Sequence, residues 1–144
     1  MGKKRIIRKS GGSVDQGLKS RSLARVAKKN IASGTLYIQA TYNNTKVMLA
    51  DKGGNAITWS SSGSLGFAGA KKGTPFAAAK VGEIVGEKAV MIGVKDVDVV
   101  IRGVGAGRES ALRAFAGKGI EITRIADDTP VPHNGPRPRK PRRI

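Results

Sequence analysis

Residues 74–103 read TPFAAAKVGEIVGEKAVMIGVKDVDVVIRG, and the change of period within them decides the fold. Thr74-Pro75 predicts a helix start, with Thr as N-cap and Pro at the first helical position, where a missing N–H is harmless. Ala77, Val81, Ile84, Val85, Ala89 and Ile92 recur at helical spacing as a buried stripe, while Lys80, Glu83 and Glu87 fall on the water face. Gly93 ends the helix. Residues 95–102 then read as a strand, and Val97, Val99, Val100 and Ile101 predict burial on both of its faces, hence a central, partly parallel position. Gly82 and Gly86 each cost about 1 kcal/mol against Ala in a helix. Close packing on a neighbour is the plain reason for them.

The flanks complete the architecture. In 35–42, Leu36, Ile38, Ala40 and Tyr42 alternate with Tyr37, Gln39 and Thr41, the period of a strand. Asn43-Asn44 predicts a two-residue hairpin turn, since Asn tolerates the positive φ such turns require. Strands at 45–51 and 55–60 follow, joined through Gly53-Gly54. Downstream come a short helix at 108–117 and a strand at 120–126. A three-stranded meander followed by helix–strand–helix–strand is α/β, a mixed five-stranded sheet flanked by helices. Residues 20–30 predict one further short helix, with Leu23, Val26 and Ala27 on one side. The stretch 61–74, with Gly63, Gly66, Gly69 and Gly73, reads as a long functional loop.

Charge separates the chain into three parts: a basic extension at 1–33, an α/β domain at 34–128 and a basic tail at 129–144. Residues 1–30 hold ten Lys/Arg against Asp15 alone, and 129–144 hold five against no acid. Residues 31–128 hold twelve against nine, so most of the net +17 sits at the ends. A nearly balanced body with two cationic arms is the plan of a protein that docks on a polyanion and threads its tails into it. The arms cannot fold alone, because ordering each residue costs roughly 1–2 kcal/mol of backbone entropy. The last eight residues offer only Ile144 to bury. Both arms are expected to be disordered until a partner neutralises them. Solubility tails or a localisation signal are the bland alternative.

Several classes of function drop out. The chain has no cysteine, which removes disulfide scaffolds and thiolate zinc sites. No apolar run approaches the ~18 residues of a membrane span. The basic start runs into Ser10-Gly11-Gly12-Ser13 rather than an apolar stretch, unlike a secretory signal. A cytoplasm-like compartment fits, with an organellar one as the alternative. Aromatic residues are few, which argues against a sheet that stacks bases.

Gly103-Val104-Gly105-Ala106-Gly107-Arg108-Glu109-Ser110 lies between a strand and a helix, where a Gly-rich turn can hold an anion. A dinucleotide fingerprint needs Gly at 108 and a phosphate loop needs a terminal Lys-Ser/Thr, and neither is present. Two readings remain at this point: a backbone cradle for an RNA phosphate, with Arg108 adding charge, or a tight connection whose glycines permit close packing. The order of elements is also that of ribonuclease H, whose two-metal chemistry needs converging carboxylates. The first strand has none, Asp96 and Asp98 lie at the wrong end of theirs, and Asp51, Asp127 and Asp128 complete no cluster. Neither catalysis nor a metal or other cofactor is expected. The lone His133 reads as a loop residue.

Ile38 to Thr45, Gly66 to Ala78, Gly105 to Ser110 and Asp128-Thr129-Pro130-Val131-Pro132-His133-Asn134-Gly135 stand in the order and spacing of one family. On these motifs the sequence resembles the small-subunit ribosomal protein eleven family, the universal platform protein, from about Gly34 to the C-terminus. Its ending is similar to bacterial and organellar members. The resemblance implies a ribonuclease H-like domain without catalytic residues. It also implies a structural role on the platform of the small ribosomal subunit, bridging rRNA helices beside neighbouring platform proteins. There the family helps form the cleft that holds the mRNA leader paired to rRNA, the Shine–Dalgarno interaction. One copy per ribosome and no membrane association are implied. Carried onto this chain, the expected RNA contacts are Asn43, Asn44, Lys46, Lys71, Lys72, Arg108, His133, Asn134, Gly135, Arg137, Arg139, Lys140, Arg142 and Arg143. The family usually has Arg where Ala68 stands, and prolines where Val104 and Ala106 stand. The rivals are a metal-dependent nuclease, which would cleave RNA with divalent metal, and a non-ribosomal nucleic-acid binder, which would prefer DNA.

Gly135 offers little hindrance to succinimide closure at Asn134, so this asparagine is a candidate for deamidation or isoaspartate formation. Peptide mapping of aged protein should reveal the modified form; only intact Asn134 would dismiss it.

Overall fold

The structure, a computed structural model, describes residues 16–24 and 30–143. Helix α1 spans Gln16–Ala24. Strands β1 (Ser33–Ala40), β2 (Thr45–Ala50) and β3 (Ala56–Ser61) precede helix α2 (Pro75–Ile92). Strand β4 (Asp96–Gly103), helix α3 (Gly107–Ala116) and strand β5 (Glu121–Asp127) complete the chain of elements. The sheet order is β3-β2-β1-β4-β5. The β1–β2 and β2–β3 pairs are antiparallel, while β4 runs parallel to both β1 and β5. That is the ribonuclease H order expected from the meander and the two helix–strand repeats. The sheet curls where Ile57 forms a bulge opposite Leu49 and Ala50.

Alternation sets the core. Leu36, Ile38, Val47, Leu49, Val97, Val99 and Ile101 share one sheet face and pack against Val81, Ile84, Val85, Ala89 and Ile92 of α2 and Ala111 and Phe115 of α3. The expected stripe of α2 is buried throughout. Thr74 caps the helix by accepting from the Ala77 N–H at 3.3 Å, and Gly93 closes it at φ 90°. Gly82 is where α2 and α3 meet most closely. A Cβ there would lie 2.3 Å from the Ala111 carbonyl oxygen, and one at Gly86 would lie 2.7 Å from the Lys118 side chain. The two glycines serve helix packing.

Four expectations need correction. The helix foreseen at 20–30 lies at 16–24, and residues 25–29 fall outside the described ones, as do 1–15 with the expected disordered arm, and Ile144. The helix meets the body through Lys19, which reaches Glu87 of α2 at 3.1 Å, and through the half-buried Leu18, whose Cδ1 would lie 3.1 Å from a Cβ at Gly66. Second, β1 stops at Ala40 and the hairpin loop has four residues, because Thr41 takes up the turn. Its N–H donates to the Asn44 carbonyl at 2.8 Å, and its hydroxyl accepts from the Asn44 N–H at 3.1 Å. Neither Asn43 nor Asn44 has positive φ. Third, the loop 61–74 carries two 3-10 turns, Gly63–Leu65 and Gly69–Gly73. Fourth, β4 is buried on one face only: Asp98 and Val100 are half-buried on the other, which no described helix covers.

The water face of α2 is also drier than its sequence implied. Lys80, Glu83 and Glu87 are half-buried and Lys88 is buried. Glu87 of α2 ties down α1 and the turn after α3, accepting from Lys19 and from Lys118, the latter at 3.2 Å. Burial works to raise its pKa, but the two lysines outweigh it and hold the carboxyl below its ordinary value. Its stabilising contribution is therefore full above the ordinary carboxylate range and fades as pH falls through the lowered value.

Replacing Gly82 by Ala tests the backbone contact. Helix propensity alone would favour Ala by about 1 kcal/mol, yet the new methyl must displace the α3 backbone, and overpacking costs typically 1–3 kcal/mol. A net destabilisation is expected in urea unfolding. A stabilised variant would show that α2 and α3 are not in backbone contact.

Candidate nucleic-acid interface

The parallel strands β1, β4 and β5 all end at one edge of the sheet, the edge where open α/β sheets place their ligands. The antiparallel pairing of β3 with β2 brings Ser61 opposite Lys46 at the same edge. Loops 41–44, 61–74 and 103–106 and the start of the tail therefore leave the body together. They touch. A Cβ at Gly73 would lie 2.2 Å from the Tyr42 carbonyl oxygen and 3.5 Å from Asn43 Cα, so the turn carrying Lys71 and Lys72 sits against the hairpin tip. The Ser62 N–H donates to the Thr45 carbonyl at 3.0 Å, tying the start of the loop to β2. Lys46 is exposed on the uncovered sheet face, opposite Gln39.

The Gly-rich turn resolves in favour of close packing. Gly103, at φ 100°, and Gly105 lie so near β1 that a Cβ would fall 2.0 Å from the Ala40 and 2.2 Å from the Thr41 carbonyl oxygens. The Gly105 N–H, which a phosphate cradle would need, donates to the Ala40 carbonyl at 2.9 Å. The turn clasps the end of β1.

Arg108 is engaged within the protein. Its guanidinium donates to the Gly103 carbonyl, to the Thr129 hydroxyl at 3.2 Å and to the Asp127 carboxylate. Asp128 is gripped by Arg102, and its N–H continues the ladder to the Ile101 carbonyl at 2.9 Å. Asp127 and Asp128, weighed above as metal ligands, thus face arginines and fix the root of the C-terminal tail. The Thr129 hydroxyl and N–H both donate to Asp127, the N–H at 3.0 Å. The Thr129 hydroxyl bond, then Arg108 and the Thr129 N–H, hold the Asp127 carboxyl down at about 2.

Beyond this root, residues 130–143 are exposed and lack regular secondary structure. His133, Arg137, Arg139, Lys140, Arg142 and Arg143 make no ion pair among the described residues. Asn134 turns the chain with φ 54°, the positive value that Asn tolerates, and Gly135 follows it against Pro132. The structure therefore brings Asn43, Asn44, Lys46, Lys71, Lys72 and Arg108 to one edge, while residues 133–143 extend from its rim.

Composition understated one feature of this edge. Tyr42 is 78% exposed at the hairpin tip, Phe76 is 53% exposed in the first turn of α2, and Val104 is exposed beside them. Phe76 meets Phe67 edge-on at 6.1 Å and carries the Lys80 ammonium 5.6 Å from its ring centroid. The sequence does contain the signal for Phe76, which falls off the Ala77–Val81 stripe. Tyr42 carries no such signal, because alternation alone extends β1 through it. Beneath the tip, Asn44 Oδ1 and Thr45 Oγ1 are buried without a hydrogen-bond partner among the described residues.

Because the folded Asp127 pKa lies below the ordinary 3.8, its contribution to tail anchoring is complete above pH 3.8 and is lost as pH falls through about 2. The Asp127 carboxyl carbon should titrate near that lower value by NMR, and Thr129→Ala should move the midpoint up toward 3.8. An unmoved midpoint would assign the effect elsewhere. Compared with known families, residues 34–143 match the family model described as Ribosomal protein S11.

Proposed function

Because the chain belongs to the Ribosomal protein S11 family, structural rRNA-binding proteins of the small ribosomal subunit, we propose that it sits on the subunit platform and bridges rRNA helices there. In this reading the body, 34–128, is a rigid wedge. Asn43, Asn44, Lys46, Lys71, Lys72 and the free face of Arg108 meet one helix. The segment His133, Asn134, Gly135, Arg137, Arg139, Lys140, Arg142 and Arg143 passes between helices whose phosphates would otherwise repel. Neighbouring platform proteins lie against the body, and the cleft for the mRNA leader is close by. The setting is one copy per cytoplasmic ribosome, and the extension 1–33 adds a second cationic arm.

The observation that carries this reading is the division of charge. Five of the body's nine acids, Glu83, Glu87, Glu109, Asp127 and Asp128, are paired with lysines or arginines, whereas the tail cations are unpaired among the described residues. Unpaired cations on an extended, proline-stiffened strand suit phosphates at irregular spacing. Phosphate contacts position a protein without reading sequence, so specificity comes from the shape of the folded RNA.

A salt-series titration against a folded platform fragment of small-subunit rRNA and a scrambled RNA of equal length tests it. The folded fragment should be preferred at every salt concentration. Deleting 137–144 should weaken binding and flatten the log–log salt slope by roughly 0.7–0.9 for each phosphate that the tail no longer neutralises. Equal affinity for both RNAs would reduce the protein to a nonspecific polyanion binder, and an unchanged slope would take the tail off the RNA.

A further inference from the structure

A cavity of about 390 Å³ opens where α1 and α2 pass the outer strand β3. That volume falls within the roughly 300–1,000 Å³ of small-molecule sites. Its lining includes Lys88 of α2, Arg21 of α1, Trp59 of β3 and the hydroxyl-bearing Thr58, Ser60 and Ser64, with no carboxylate among the lining residues.

Lys88 is the unusual member. It is only 5% exposed, yet makes no ion pair or hydrogen bond among the described residues. Lysines are almost never buried without a partner, because desolvating an ammonium is costly. Burial accordingly lowers its pKa, with no opposing charge to restore it. Thr58, 6% exposed, likewise has no hydrogen-bond partner for its hydroxyl among the described residues. Arg21 has no ion pair there either. The Ser64 hydroxyl already donates to the Ser61 carbonyl at 2.8 Å and accepts from the Ser61 N–H at 2.9 Å, which leaves Ser60, 3.3 Å from it, as the hydroxyl able to turn into the cavity. Two cations and the hydroxyls of Thr58 and Ser60 converge on one space whose lining holds no acid.

We propose that this cavity is a phosphate-binding pocket, with Lys88 and Arg21 as the charge partners and Thr58 and Ser60 as hydroxyl donors. Four side chains that can donate outnumber the two oxygens of a carboxylate and suit the several oxygens of a phosphate. The source of that phosphate as the backbone of an RNA strand rests on the function proposed above; free inorganic phosphate is the other source. The pocket would be a second RNA contact, adjoining loop 61–74 through Ser64 but using none of the cations of the strand-end edge.

Trp59 is the only tryptophan and lines the cavity, so its fluorescence reports on the site. Titrating the full chain with inorganic phosphate should give a saturable change that chloride and acetate at equal ionic strength do not reproduce. Lys88→Met keeps the apolar stem, removes the buried charge, and should weaken this response at least tenfold while raising Tm. Arg21→Gln, on the exposed helix α1, should weaken it several-fold without disturbing the core. An unchanged response in Lys88→Met, or an equal response to acetate, overturns the proposal. The salt slope for the folded rRNA fragment then identifies the source. A slope flattened in Lys88→Met by about 0.7–0.9, the value of one phosphate, makes it RNA, and an unchanged slope with the phosphate response abolished makes it the free ion. Failure of the wild-type chain to prefer that fragment would overturn the ribosomal reading instead, leaving the fluorescence result intact.

Discussion

Everything at the strand-end edge depends on how closely α3 can approach α2 and β1. The Ala111 carbonyl occupies the space a side chain at Gly82 would need, and the carbonyls of Ala40 and Thr41 occupy the space of side chains at Gly103 and Gly105. With any larger residue at these points α3 would rise off the sheet, and the turn at 103–106 would leave the end of β1. Arg108 would lose its geometry toward Thr129 and Asp127, and with it the tail its root. A helix-propensity cost of about 1 kcal/mol at Gly82 is small beside the gain of fixing four segments against one another. The glycines look like a phosphate loop in sequence because both devices need backbone at close range. Here the approaching group is the protein's own strand.

The fold was legible because two periods dominate it. The α2 stripe and the alternation of Leu36, Ile38 and Ala40 leave little freedom for these elements, and the sheet order follows from a meander feeding helix–strand units. What sequence could not show was which polar residues would be covered by neighbours distant in the chain. Glu87 reads as solvent-facing on α2 alone. It and the buried Lys88 beside it are covered because α1 lies against α2, held by Lys19 on Glu87 and by Leu18 beside Gly66. Local alternation likewise overran β1 to Tyr42, since it has no means of sensing that Thr41 hydrogen-bonds to Asn44 and turns the chain early.

The candidate interface divides the same way. Its loops were readable as motifs, and their gathering at one edge follows from parallel strands sharing an end. The state of Arg108 was not readable, because its partners Asp127 and Thr129 lie nineteen and twenty-one residues on. Its engagement changes its role: a guanidinium already balanced by a carboxylate attracts phosphate less than a free one, but it holds the first residues of the tail in a fixed direction. Positive charge left unpaired among the described residues therefore sits on the extended segment and on body lysines such as Lys46, Lys71 and Lys72, while Lys80, Arg102, Arg108, Arg113 and Lys118 are paired within the body.

Lys88 fits neither pattern, and the mismatch is informative. Where the body half-buries a carboxylate, at Glu87, it supplies two cations within hydrogen-bonding reach, at 3.1 and 3.2 Å. One residue later it buries an ammonium and supplies only hydroxyls and a second cation, an arrangement that lowers stability while the cavity is empty. Destabilising groups of this kind are concentrated where proteins bind something, since a site preorganised for a charge is strained until that charge arrives. An anion entering the cavity would remove the desolvation penalty of Lys88 and the repulsion from Arg21 in one step. Its binding would therefore also tighten α1, which contributes Arg21, against α2.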